Sequence, residues 1–139
     1  MSTFNKFNQF VEDLAKGVHN LSTGQLKVAL TNTAPVAANS VYADLTSPLA
    51  TTNLSGATPF NVTTTSCEQT SGTLTLVLVD LTLTATGAVG PFRYVVLYND
   101  TPSSPADPLI GWWDYGSEVT MANTETFLID FAATTISLS

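Results

Sequence analysis

The segment 73–86 constrains the fold more than any other. Leu74, Leu76 and Leu78 alternate with Thr73, Thr75 and Val77, and the apolar positions then move by one residue to Val79, Leu81 and Leu83. Alternation with period two lines one face of an extended strand and cannot build a helical stripe. The change of phase predicts either a β-bulge within one strand or a stretch, Val77 to Val79, that is covered on both faces. Composition agrees with a β-protein. Only 11% of the 139 residues are charged, and 23 Thr and 12 Ser carry the polarity instead. Threonine is β-branched and suits a pleated sheet.

A different periodicity opens the chain. Phe4, Phe7, Val11, Leu14 and Val18 recur at three- and four-residue steps with Phe10 beside them, which predicts a helix within residues 1–20. Ser2 or Thr3 is the expected N-cap and Gly17 the expected C-cap. From residue 25 onward the pattern reads as strands at 25–31, 40–45, 60–65, 73–86, 92–98, 109–115, 118–121, 124–131 and 134–138. The glycine-rich stretch 87–91 predicts that 73–86 and 92–98 pair as an antiparallel hairpin. No repeat or second composition zone divides the chain. The expectation is one domain over residues 1–139, a mainly β antiparallel sandwich or barrel with an N-terminal α-helix.

The charge balance removes several function classes. Four Lys and Arg face eleven Asp and Glu, a net charge of −7. Lys6, Lys16, Lys27 and Arg93 form no basic stripe, which argues against a nucleic-acid partner and against an electrostatic membrane anchor. Cys67 is the single cysteine and His19 the single histidine, so neither a disulfide nor a cysteine-based metal site is expected. The first residues lack the apolar core of a secretion signal, which points to synthesis in a reducing cytoplasm.

Catalytic readings are weak. A Cys67–His19 dyad has nothing local to mark it. A paired-carboxylate site would draw on Asp80, Asp100, Asp107, Asp114, Glu118, Glu125 or Asp130, several of which serve as plain solubility charges. No phosphate-loop, nucleophile-elbow or metalloprotease spacing occurs. The expectation is a non-enzymatic protein without cofactor or metal. Four Asn-X-Ser/Thr triplets begin at Asn20, Asn53, Asn61 and Asn99, and a chain this rich in Ser and Thr produces such triplets by chance.

The most informative cluster is residues 109–116, Leu-Ile-Gly-Trp-Trp-Asp-Tyr-Gly. In a regular strand Trp112 and Trp113 point to opposite faces, whereas Trp113 and Tyr115 share one. One tryptophan therefore enters the core, and the other meets the helix, solvent, a sugar or a neighbouring subunit. Arg93, on the preceding strand, can stack on an aromatic ring or pair with Asp114. A greasy helix stripe and a strand with Trp on both faces are more apolar surface than one small sandwich readily covers, which predicts a homo-oligomer. The helix, reading as separate from all strand pairing, is expected to serve attachment more than folding.

Residues 92–101, 108–116 and 125–131, with the opening strand 26–35, resemble a family of small structural proteins of tailed bacteriophages. The resemblance implies a virion component without enzymatic activity: a capsid decoration (cement) protein that binds the major capsid protein on the outside of the head, often as a trimer. It implies a place on the virion surface after synthesis in the host cytoplasm, and it carries over no catalytic residue. The alternative within the same resemblance is a tail-associated or receptor- or glycan-binding module. The expected interface residues are Phe4, Phe7, Val11, Leu14, Arg93, Trp112, Trp113 and Tyr115.

Overall fold

A computed structural model describes residues 3–131 and 135–138 of the chain. It is mainly antiparallel β-structure with one short N-terminal helix. In chain order the elements are β1 (Asn5–Lys6), α1 (Asn8–Ala15), β2 (Leu26–Thr31), a single 3-10 turn (Tyr42–Asp44), β3 (Asn61–Val62), β4 (Thr64–Thr70), β5 (Thr73–Leu78), β6 (Leu81–Thr84), β7 (Val89–Asn99), β8 (Leu109–Met121), β9 (Thr126–Ile129) and β10 (Ile136–Leu138). One layer is a five-stranded sheet in the order β1-β8-β7-β2-β3. The other is made of a three-stranded sheet, β10-β5-β4, and a two-stranded one, β6-β9. Leu26, Val28, Leu30, Val95, Leu97, Ile110 and Trp113 from the first layer meet Leu76, Leu78, Leu83, Phe127, Ile129 and Ile136 from the second in one buried core. This is the sandwich arrangement of two inner apolar faces.

The phase change in 73–86 has a larger cause than a bulge. The strand breaks at Val79 and Asp80, β5 pairs with β4 and β10, and β6 pairs with β9. Leu76, Leu78 and Leu83 are all buried, so the shift by one residue keeps the core side inward while the chain changes sheets. The expected hairpin between 73–86 and 92–98 is absent, because β7 lies in the other layer between β8 and β2. The hairpin that does form in this region joins β4 to β5 through Ser71 and Gly72, at φ 52° and 83°. Two central residues at positive φ are what a two-residue turn matched to strand twist requires. Residues 40–45 are not a strand: they hold the 3-10 turn, and only Val41 bridges to Pro108. Residues 109–115 and 118–121 are a single strand, β8. The expected start of the last strand, Thr134, lies outside the described residues, as does the proposed Ser2 cap.

The N-terminal segment is the largest departure. The helix is eight residues long and begins after Phe7, with no side-chain cap. Its C-terminal end matches expectation: Gly17 N–H bonds the Leu14 carbonyl at 3.3 Å and Val18 N–H the Asp13 carbonyl at 2.9 Å, the paired bonds of a Schellman motif. Before the helix the chain is extended and closes the edge of the large sheet. Asn5 opposes Trp112 and Lys6 opposes Gly111, Phe7 N–H reaches the Ile110 carbonyl at 3.2 Å, and the Asn5 amide donates to the Trp112 carbonyl at 3.3 Å. A side chain at position 111 would run into the Phe4 ring and come within 2.6 Å of the Asn5 carbonyl oxygen, so Gly111 is what allows this strand to dock. Straddling the edge, the segment sends Phe7 to one face of the sheet and Phe4, Phe10 and Leu14 to the other. Phe7 and Phe10 are fully buried. The reading of this segment as separate from strand pairing is therefore corrected.

Candidate functional site

The outer face of the five-stranded sheet, opposite the main core, is where the aromatic residues gather. Strand register puts Thr31, Tyr94 and Asp114 in one row, Ala29, Val96 and Trp112 in the next, and Lys27, Tyr98 and Leu109 in a third. A register shift between Leu97 and Tyr98 leaves Ile110 as the extra residue of β8. Leu109 consequently faces outward while Ile110 enters the core. Phe7, Ala29, Leu45, Val96, Tyr98 and Leu109 make a second, smaller buried cluster on this face, with Tyr42 and Trp112 half-buried at its margin.

The eight expected interface residues separate on this frame. Trp112 and Trp113 do point to opposite faces. Trp113 is 3% exposed and sits between Phe4 and Phe131, with ring centroids 5.3 and 5.6 Å away. Trp112 is half-buried and stacks at 4.6 Å on Phe7. Phe4 and Leu14 lie partly buried against the main core, whereas Val11 and Tyr115 are half-exposed, at 51% and 52%. Tyr115 leans on Phe127 at 5.2 Å rather than on Trp113. Arg93 makes both contacts open to it. Its Nε and an NH2 group donate to the two oxygens of Asp114 at 2.8 and 3.0 Å, and its guanidinium lies 5.5 Å from the Tyr94 ring centre. Hydrogen bonds from Arg93 and from the Gly116 N–H hold the Asp114 carboxyl below its ordinary range.

At the third row the sheet face ends in a cleft of about 390 Å³. Asn61, Lys27 and Tyr98 are cross-strand neighbours on β3, β2 and β7 and form its floor. Tyr42 stands against Tyr98, with ring centroids 5.0 Å apart, and Leu49 and Phe60 add apolar wall. Behind Lys27 lie two carboxyls. Lys27 Nζ is 3.2 Å from Asp100. Burial, and then the neighbouring Asp100 carboxyl, which accepts from the protonated form of Asp107, pushes Asp107 above the usual carboxylate range. Burial chiefly, then these acids, raises the Tyr98 hydroxyl as well. Of the seven acids considered from sequence, Asp100 and Asp107 are brought together.

Among the other sequence candidates, Cys67 is a free thiol. Burial, with Glu68 adding, pushes the Cys67 thiol up, which keeps it protonated and a poor nucleophile. Glu118 accepts from the Asn32 amide at 2.8 Å, and Asp80 accepts from the Phe131 N–H at 2.9 Å. Among the Asn-X-Ser/Thr triplets, Asn99 is buried and tied to His19. Comparison of the chain with family models, with curated proteins and with solved structures finds no match in any of the three.

His19 and Asn99 were not read as a unit in the sequence, being eighty residues apart. The Thr101 N–H donates to Asn99 Oδ1 at 3.1 Å, which turns the Asn99 NH2 toward His19 Nδ1 at 3.2 Å. Nδ1 must then accept, so the neutral ring carries its proton on Nε2, which is buried with no partner among the described residues. Burial lowers the His19 pKa, and the nearby Asp13 carboxylate opposes that only in part. The folded state thus prefers neutral histidine. Its contribution to stability is complete above the ordinary histidine pKa of about 6.5 and is lost as the pH falls below it, levelling off beneath the folded-state value. The urea midpoint of the protein is expected to fall between pH 7 and 5, and the His19→Gln variant to show a flatter profile over that window. Identical profiles would remove His19 as the cause.

Proposed function

We propose that the protein is a non-enzymatic virion component that decorates the outside of a tailed-phage head as a homotrimer on the major capsid protein, made in the host cytoplasm. Two lines support the reading. Residues 92–116, the most specific part of the resemblance, span most of the β7–β8 pair. The single observation that carries it further is that this pair presents Trp112, Tyr94 and the Arg93–Asp114 pair, all only partly buried, on the outer sheet face. Trp, Tyr and Arg are the side chains that most often anchor protein interfaces, and a half-covered aromatic face gives a protein partner apolar area to bury. Phe7 and Trp113 offer no such area, since both are enclosed by the chain itself.

Many weak contacts suffice when a particle carries many copies, because attachment then gains from multivalency. The test is the location of the protein in purified virions, by mass spectrometry and cryo-electron microscopy. The expected result is density on the head exterior, three copies per site, with a copy number that follows the capsid lattice. Confinement to the tail would replace this reading by the tail-associated one, and absence from the virion would overturn both. In free solution, light scattering that stays at the single-chain mass of 14.7 kDa across concentrations would remove the trimer.

A further inference from the structure

The geometry points to a proton-gated clamp: when His19 takes up a proton, the end of the large sheet where β2 starts and β7 stops comes unfastened. This does not rest on the decoration reading. The clamp is a chain of hydrogen bonds. The Gln25 N–H donates to Thr101 Oγ1 at 2.7 Å, the Thr101 N–H donates to Asn99 Oδ1 at 3.1 Å, and the Asn99 NH2 group meets His19 Nδ1 at 3.2 Å. Gln25 precedes β2, Asn99 closes β7 and His19 follows α1, so separate parts of the chain are tied at one point. The packing there is close. A Cβ at Gly24 would lie 3.1 Å from both Asn99 amide atoms and 2.6 Å from the Asn20 carbonyl oxygen. Asn99 and His19 are only 1% and 6% exposed.

The Thr101 N–H is a backbone donor and cannot turn round, so the chain must end on the His19 lone pair. A proton on Nδ1 sets an N–H against the Asn99 NH2 group. Flipping the Asn99 amide repairs that contact only by turning the NH2 group onto the Thr101 N–H. Either way a buried donor loses its acceptor, which costs free energy. The surroundings offset this only in part. The Phe10 ring lies 5.2 Å from the imidazole, and Asp13 of α1 is the charge that acts on it. One Asp13 oxygen already accepts from Gln9 at 3.1 Å, and its attraction opposes burial without overcoming it. Glu12 and Lys16 of the same helix pair with each other in solvent, and on the β7 side Asp100 is held by Lys27 at 3.2 Å. The imidazolium is accommodated when residues 19–25 open away from 99–101 and water reaches it.

Relaxation-dispersion NMR of the backbone amides tests the clamp, because it reports a minor open state residue by residue. Expected is exchange broadening at Thr101 and Gln25 that grows about tenfold between pH 7 and 5, while the amides of β6 and β9 in the other layer stay sharp. His19→Gln offers the Asn99 NH2 group an acceptor that does not titrate, and it should remove the growth. Asn99→Asp should remove it as well, since a carboxylate accepts from the Thr101 N–H and from the protonated ring alike. A role in packing alone would not make these two substitutions agree. No growth at Thr101 and Gln25 in the parent protein, equal broadening in β6 and β9, or growth in either variant as large as in the parent would each overturn the proposal.

Discussion

A chain lacking residues 1–20 is expected to lose its cooperative thermal transition. Phe7 and Phe10 are fully buried, one on each side of the large sheet. Truncating a buried Phe to Ala alone costs about 3–5 kcal/mol, and the whole stability of a domain this size is about 5–15 kcal/mol. Deleting the segment removes both rings and the His19–Asn99 contact. It also bares the backbone of β8 at Gly111 and Trp112, where β1 now pairs. Exposed strand edges beside apolar side chains are aggregation sites. Circular dichroism melting of the truncated chain should show a broad or absent transition with loss of solubility. A transition retained within about 5 °C of the parent would show instead that the sheets stand without the segment.

The two adjacent tryptophans should differ sharply when each is replaced by alanine. Trp113 fills the space between Phe4 and Phe131 in the main core, and its loss should cost about 3–5 kcal/mol. Trp112 has one side on Phe7 and the other partly open, so removing it should cost about 1–2 kcal/mol, near the middle of the range for point substitutions. Urea denaturation with fixed slope measures both. Equal losses would mean that the outer face is packed as tightly as the core, and the anchor assigned to Trp112 would have to be withdrawn.

What the residues disclosed and what they hid follows from how sheets are encoded. Strand β2 was legible because Leu26, Val28 and Leu30 alternate. Its other face was not, since nothing in Ala29 or Thr31 reveals that Phe7 and Leu45 pack there. Strand β4 was missed because Thr64–Thr70 is an edge strand of mostly exposed polar residues with no apolar period. Its only signal was the Ser71-Gly72 turn. Equal length and a glycine-rich connection suggested that 73–86 and 92–98 pair, but pairing partners are chosen by layers, and this connection crosses from one layer to the other. The sequence told that Trp112 and Trp113 diverge. It could not tell which faced the core, because the extra residue at Ile110 resets the phase of β8. The cleft was hidden for a similar reason. Lys27, Asn61 and Tyr98 belong to three strands, and only the register brings them into one row.

The pairing of the first strand with the eighth sets a timetable for synthesis. Asn5 and Lys6 leave the ribosome more than a hundred residues ahead of their partners Trp112 and Gly111. At about 5–20 residues per second that is a wait of roughly 5–20 s, during which Phe4 and Phe7 lack the Trp113 and Trp112 rings they pack on. Strand β2 waits likewise for β7. The large sheet therefore cannot be built progressively as the chain emerges, and it closes only after β8 has emerged. A ribosome stalled before residue 109 should display a protease-sensitive, chaperone-bound nascent chain, and protection of the N-terminal segment should arrive only with β8.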